Sequence, residues 1–154
     1  MLFLQFQVGP DRYLLDVADI VEVLPVVELK ALPQAPEGVA GIANYRGSPL
    51  PVLDLSGLML GVPARDSMST RIVVVNYPDR HGELVHRLGL IAEKATQTRR
   101  LPVDEFRSAG IDNPDARYLG PVATDDQGML QWVDAKCLLP DHVRDLLFDA
   151  QERP

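Results

Sequence analysis

A catalytic or metal site in this chain would have to be built from three histidines, one cysteine and a surplus of acidic residues. His81 and His86 stand five apart in HGELVH. On a helix they would diverge, and on a strand that spacing puts them on opposite faces, so they make a poor ligand pair and read as surface residues flanking a hairpin. His142 opens a C-terminal helical stretch and reads as exposed. Cys137 lies in the apolar run AKCLLP with no histidine near it in sequence, so it reads as a small buried hydrophobe rather than a nucleophile. The acidic runs DVADIVE and PVDE read as solvated faces and caps, and TDD as a hairpin turn. No phosphate-cradling glycine loop, nucleophile elbow, HExxH or CxxC is present. The residue types therefore point away from catalysis, metal and cofactor, and towards a protein that works by surface contact.

One cation is placed differently from the rest. In GIANYRGSPLPVLDL (41–55), Arg46 occupies a tight glycine-containing turn between two apolar runs, and Pro49 and Pro51 follow it. Arginine carries a planar fork of donors that can hold a carboxylate or carbonyls in a fixed direction. The prolines restrict the return strand and remove two N–H donors from its edge, which discourages stray strand pairing. An ordinary exposed turn residue is the plain alternative for Arg46.

The surrounding elements read as short strands. Thirteen prolines and eleven glycines punctuate the chain, a pattern that suits a barrel or sandwich. MLFLQFQVGPDR begins as an amphipathic strand over 2–8, without the basic leader of a signal peptide. YLLDV (13–17) is a second strand, and ADIVEVL a helical turn leading into a third. Residues 39–45 and 48–55 pair as a hairpin through Arg46–Gly47. Asp54 or Ser56 caps a short helix that Gly61 ends. The polar loop GVPARDSMST is the expected lobe boundary. RIVVVNY (71–77) suits a strand buried on both faces, and 83–94 returns beside it. Trp132 and Tyr118 belong to a last hairpin and read as core. Pro140 begins a terminal helix with Val143, Leu146, Leu147 and Ala150 along one stripe.

Bulk composition narrows the partners. The chain is 46% hydrophobic, enough for one globular domain or two small lobes. Its net charge is −7, and its pI is about 4.8. That balance repels phosphate and disfavours nucleic acid and anionic lipid surfaces. No apolar run approaches the ~20 residues of a membrane span, so direct insertion is not expected and the chain reads as cytoplasmic.

Several segments in order carry a resemblance: I-V-E-V, L-P-Q-A-P, V-A-G-I-A-N-Y-R-G, P-V-L-D-L, I-V-V-V and G-L-I-A-E. From Leu2 to about Leu139 the chain resembles the CheW-like adaptors that link chemoreceptors to a CheA-type histidine kinase. N-Y-R-G followed by P-V-L-D-L is the most specific part. The resemblance implies an all-β single domain over 1–154, made of two five-stranded SH3-like barrels packed side by side. The expected bounds are 13–66 for the first barrel and 67–140 for the second, joined by strand 2–8, with a C-terminal helix at 140–152. It implies no catalysis and no cofactor. One end of the first barrel would meet the kinase regulatory domain, and a groove between the barrels would take the tip of a receptor's cytoplasmic hairpin, recruiting the protein to membrane receptor arrays.

Carried over by position, Glu22 and Arg46 match the acid and arginine of the contact region and are implied neighbours, able to form an ion pair. Ile20 and Gly41 match positions lining or supporting that region, and Asp54 matches a structural acid. GLIAEKATQT departs from the family pattern, placing Ala95 and Thr98 where apolar residues are usual. That implies a shallower, more polar groove wall and a specialised partner, such as a Wsp-type array controlling cyclic-di-GMP. The rival classes are a small barrel binding peptide or nucleic acid, and an enzyme whose site combines His86 or Cys137 with a carboxylate.

Overall fold

The computed structural model describes residues 1–148. Nine strands run in the order β1 Leu2–Val8, β2 Asp11–Asp16, β3 Ile20–Pro25, β4 Val39–Tyr45, β5 Ser48–Asp54, β6 Arg71–Pro78, β7 Val85–Arg100, β8 Leu119–Asp125 and β9 Gly128–Val133. Two short helices accompany them, α1 Leu55–Leu60 and α2 Asp141–Phe148. Residues 149–152 of the expected terminal helix lie outside the described residues.

The strands form two five-stranded barrels that share β7. The first half of β7 pairs with β6 and runs parallel to β5, which pairs with β4; β3 pairs with β6. Its second half pairs with β1, which continues through β2 and β9 to β8. The expected bounds are corrected by these pairings. β2 belongs to the second barrel beside β1 and β9, whereas β6 belongs to the first beside β3. The chain changes barrels within β7, not in the polar 61–70 loop, which merely links α1 to β6.

Three apolar layers result. The interior of the first barrel holds Ala43, Leu50, Val52, Ile72 and Val74. The interior of the second holds Phe3, Leu14 and Leu130, with Trp132 edge-on to Phe3 at 5.0 Å. The largest layer lies between the barrels and includes Leu4, Phe6, Val8, Val73, Val75, Tyr77, Leu88 and Leu90. This explains the unbroken run RIVVVNY: Ile72 and Val74 face the first barrel's interior while Val73, Val75 and Tyr77 face the intervening layer. A strand covered on both faces loses the period-2 alternation. Tyr118 joins the intervening layer.

Local chemistry ends the elements where the residue types dictate. The Asp54 carboxylate accepts from the Ser56 and Gly57 amides at the start of α1 and from Ala64 N beyond it. Gly61 closes α1 at φ 75°, a conformation that favours glycine. Pro49 and Pro51 lie on β5 before β7 joins it at Val52, so their missing N–H groups cost no ladder bond on that side. α2 docks through Val143 and Phe148, with Leu147 partly buried. Leu146 is instead exposed, which narrows the expected apolar stripe.

The second barrel's interior ends in a polar plug. Arg12 donates to both Asp125 oxygens, at 2.9 and 2.6 Å. Arg99 NH1 donates to Asp125 Oδ2 at 2.7 Å and to Gln5 Oε1 at 3.2 Å. Arg12 is only 9% exposed, so its charge depends on this partner. The hydrogen bonds from Arg12 and then Arg99 hold the Asp125 carboxyl well below the usual carboxylate range. A depressed folded-state pKa stabilises the fold fully above the unfolded value of about 4, and that stability drains away as pH falls towards the folded value. Asp125→Ala should therefore cost about 2 kcal/mol at neutral pH and lower the melting temperature by about 4–8 °C. The gap from wild type should shrink below pH ~4, as read by thermal melts across pH.

Candidate functional site

The turn that sets Arg46 apart is a two-residue hairpin. Tyr45 faces Ser48 across it, and both central residues have positive φ, 53° at Arg46 and 82° at Gly47. That pairing suits the right-handed twist of the flanking strands. Gly47 adopts it freely, but an arginine there is strained by on the order of 1–2 kcal/mol. Asn44 Oδ1 accepts from Gly47 N at 3.0 Å and braces the turn.

Glu22 comes to Arg46 from β3. It pairs with Val74 and shares a face with Leu24, which pairs with Ile72. That face is the first barrel's interior, so Glu22 sits at the barrel's mouth with its side chain 31% exposed. Arg46 NH2 donates to Glu22 Oε1 at 2.7 Å, and the Arg46 side chain is 73% exposed. The ion pair implied by the resemblance is thus present.

Sequence reasoning missed a third member. Tyr45 donates its hydroxyl to the same Glu22 Oε1 at 2.7 Å. Its ring packs against the first barrel's core, and the Arg46 guanidinium carbon lies 5.3 Å from the ring centroid. The signal was available: a tyrosine on a half-buried strand end needs a partner for its hydroxyl. The Tyr45 hydrogen bond, helped by Arg46 and opposed by desolvation, holds the Glu22 carboxyl below its ordinary range. Glu22 in turn raises the Tyr45 hydroxyl and the Arg46 guanidinium. All three groups keep their neutral-pH protonation states.

Beside this cluster lies an apolar edge. Among the described residues β3 pairs only with β6, and Val21, Val23, Val26 and Val27 along it and just beyond are 37–42% exposed. Val21 is the extra residue of a bulge against β6, where Ile20 faces Val75 and Glu22 faces Val74. Ile20 is half-buried against the layer between the barrels.

The remaining expected residues have other roles. Gly41 is buried at φ 150°, and a Cβ there would meet Lys30 O at 2.5 Å. Lys30 and Ile42 exchange backbone hydrogen bonds at 2.8 Å, so Gly41 lets the 29–30 segment close on β4. Ala95 is 2% exposed within the intervening core, and its N–H donates to Ser69 O at 3.1 Å. Ala95 therefore cannot form a groove wall, which corrects that expectation. Thr98 is exposed on the second barrel opposite Leu4.

A cleft of about 680 Å³ opens at the surface where the barrels meet. Pro36, Glu37 and Leu58 line one side, and Arg117, Tyr118, Cys137 and His142 the other. Neither Ala95 nor Thr98 lines it. Cys137 Sγ lies 3.5 Å from Asp134 Oδ2. Burial, then Asp134, pushes its thiol pKa up, the opposite of what a nucleophile requires. His86 stacks on Phe148 at 4.6 Å, so it packs against α2 rather than lying free on the surface. Among the described residues no three His, Cys, Asp or Glu side chains converge on a metal site, and no helix is long and apolar enough to cross a membrane.

Paired five-stranded barrels over a shared core, with a braced arginine turn at one mouth, define a scaffold domain. Residues 2–142 match the CheW-like domain, and the chain belongs to that family of non-catalytic adaptors of chemotaxis signalling. The crystal structure of the scaffolding protein TtCheW from Thermoanaerobacter tengcongensis has the same fold. It aligns over 95% of this chain and 92% of that one, with a TM-score of 0.81 at 23% identity. Among curated proteins none matches this sequence.

Gly41 separates support from contact. Gly41→Ala should cost about 2 kcal/mol or more, lowering the melting temperature by at least about 4 °C. The folded variant should bind its partners with wild-type affinity; a variant with normal melting but lost binding would make Gly41 a contact residue.

Proposed function

We propose that this chain couples a methyl-accepting chemoreceptor to a CheA-type histidine kinase, as a cytoplasmic adaptor without catalytic activity of its own. Membership of the CheW-like family supplies the class. The observation that carries the finer reading is the strained turn holding Arg46 out beside the valine edge of β3. A charged anchor flanked by exposed apolar side chains is the composition of a modest signalling interface. We assign this end of the first barrel to the kinase regulatory domain. Ile20 supports it from beneath, and Glu22 fixes the arginine.

The cleft between the barrels is our choice for the receptor's hairpin tip. Its mix of apolar residues with Glu37, Arg117 and Asp141 suits an amphipathic helical partner. The Wsp-type alternative drew on Ala95 and Thr98; with Ala95 in the core, only the exposed Thr98 of that pair still supports it.

Arg46→Glu reverses the charge at an exposed turn and should leave the melting curve close to wild type. It should weaken binding of the purified kinase regulatory domain by about tenfold or more, as measured by calorimetry. Unchanged affinity in the folded variant would sink the role given to Arg46.

A further inference from the structure

A lone exposed ion pair does not hold a long arginine in one place, because solvent screening and side-chain freedom work against it. Arg46 is 73% exposed, and Glu22 is its ion-pair partner. Yet the guanidinium is referenced to the barrel by a second route that does not involve charge pairing. We propose that Tyr45 is the positioning residue of this docking turn: its ring carries the Arg46 guanidinium, and its hydroxyl anchors the carboxylate that Arg46 uses.

The geometry supports each half. Tyr45 packs its ring on the interior of the first barrel, so its plane is fixed by the core rather than by the turn. The guanidinium carbon sits 5.3 Å from the ring centroid, within the range of a cation–π contact. The hydroxyl and Arg46 NH2 converge on the single oxygen Oε1, each at 2.7 Å. Arg46 thus spends one N–H on Glu22 and keeps donors on Nε and NH1 for a partner's carboxylate or carbonyls. Arg87 on β7 lies near enough to act electrostatically on Tyr45, which adds to the cationic character of this mouth. A tyrosine here ties three elements together: β3 through Glu22, the end of β4 through its own backbone, and the turn through Arg46.

This inference rests on the reading of Arg46 as a kinase contact, so its test has one arm that does not. In the free protein, the Glu22 carboxyl is titrated by carbon NMR in wild type, Tyr45→Phe and Tyr45→Leu. In the second arm, the affinity of the three proteins for the kinase regulatory domain is measured by calorimetry, with thermal melts confirming that each is folded. The wild-type Glu22 midpoint should lie below that of an ordinary glutamate, and Tyr45→Phe, which keeps the ring but loses the hydroxyl, should raise it. Affinity should fall about threefold in Tyr45→Phe and about tenfold in Tyr45→Leu. A merely structural tyrosine would move the melts but not the Glu22 midpoint. An unmoved midpoint in Tyr45→Phe, or wild-type affinity in Tyr45→Leu, overturns the proposal. If Arg46→Glu binds as well as wild type, the kinase-contact reading fails instead, and the titration still decides whether Tyr45 holds Glu22.

Discussion

The fold depends on one strand serving two barrels. β7 spans 16 residues, Val85–Arg100, where strands of five or six are usual. Its first half closes the first barrel and its second half supports β1 in the second. Because both barrels hang on it, their outer faces are brought together and bury the largest apolar layer of the molecule. The crossing is made at Lys94, a non-glycine residue at φ 52°. Between Glu93 and Gln97, four steps of β7 oppose only two of β1, from Gln7 to Gln5. This bulge bends the strand from one barrel into the other.

That bulge also marks where the sequence stops being readable. Individual strands, the Arg46–Gly47 hairpin, the Asp54 cap and the Gly61 stop follow from local rules and are legible in the residues. Which barrel a strand joins is decided by pairing across long sequence separations, and no local pattern records it. β2 and β6 were misassigned for that reason. The family resemblance put Ala95 on a groove wall, whereas the bulged stretch of β7 turns it into the shared core. The polar plug of the second barrel was equally hidden: Arg12, Arg99 and Asp125 meet from three distant stretches. TDD gave the turn but not its partners.

The site shows the same division. Arg46 stood out by type and place, and Glu22 entered through family resemblance. Tyr45 lies next to Arg46 in the chain, yet its role appears only when β3 is laid beside the end of β4. The two barrels close their mouths with similar chemistry, a carboxylate receiving arginine and a neutral group nearby. Their exposure differs. Arg12 is nearly sealed and serves stability, whereas Arg46 projects into solvent beside exposed valines. Strain at Arg46 fits that difference, since a residue selected only for stability at φ 53° would be glycine or asparagine.

The kinase interface we propose lies at this mouth of the first barrel. The direct measurement is backbone amide NMR of the isotope-labelled protein titrated with an unlabelled kinase regulatory domain. Perturbations should centre on residues 20–27 and 44–48, with the second barrel's plug at Arg12, Arg99 and Asp125 little changed. Perturbations confined to the cleft around Arg117, Cys137 and His142, or to the second barrel, would contradict it.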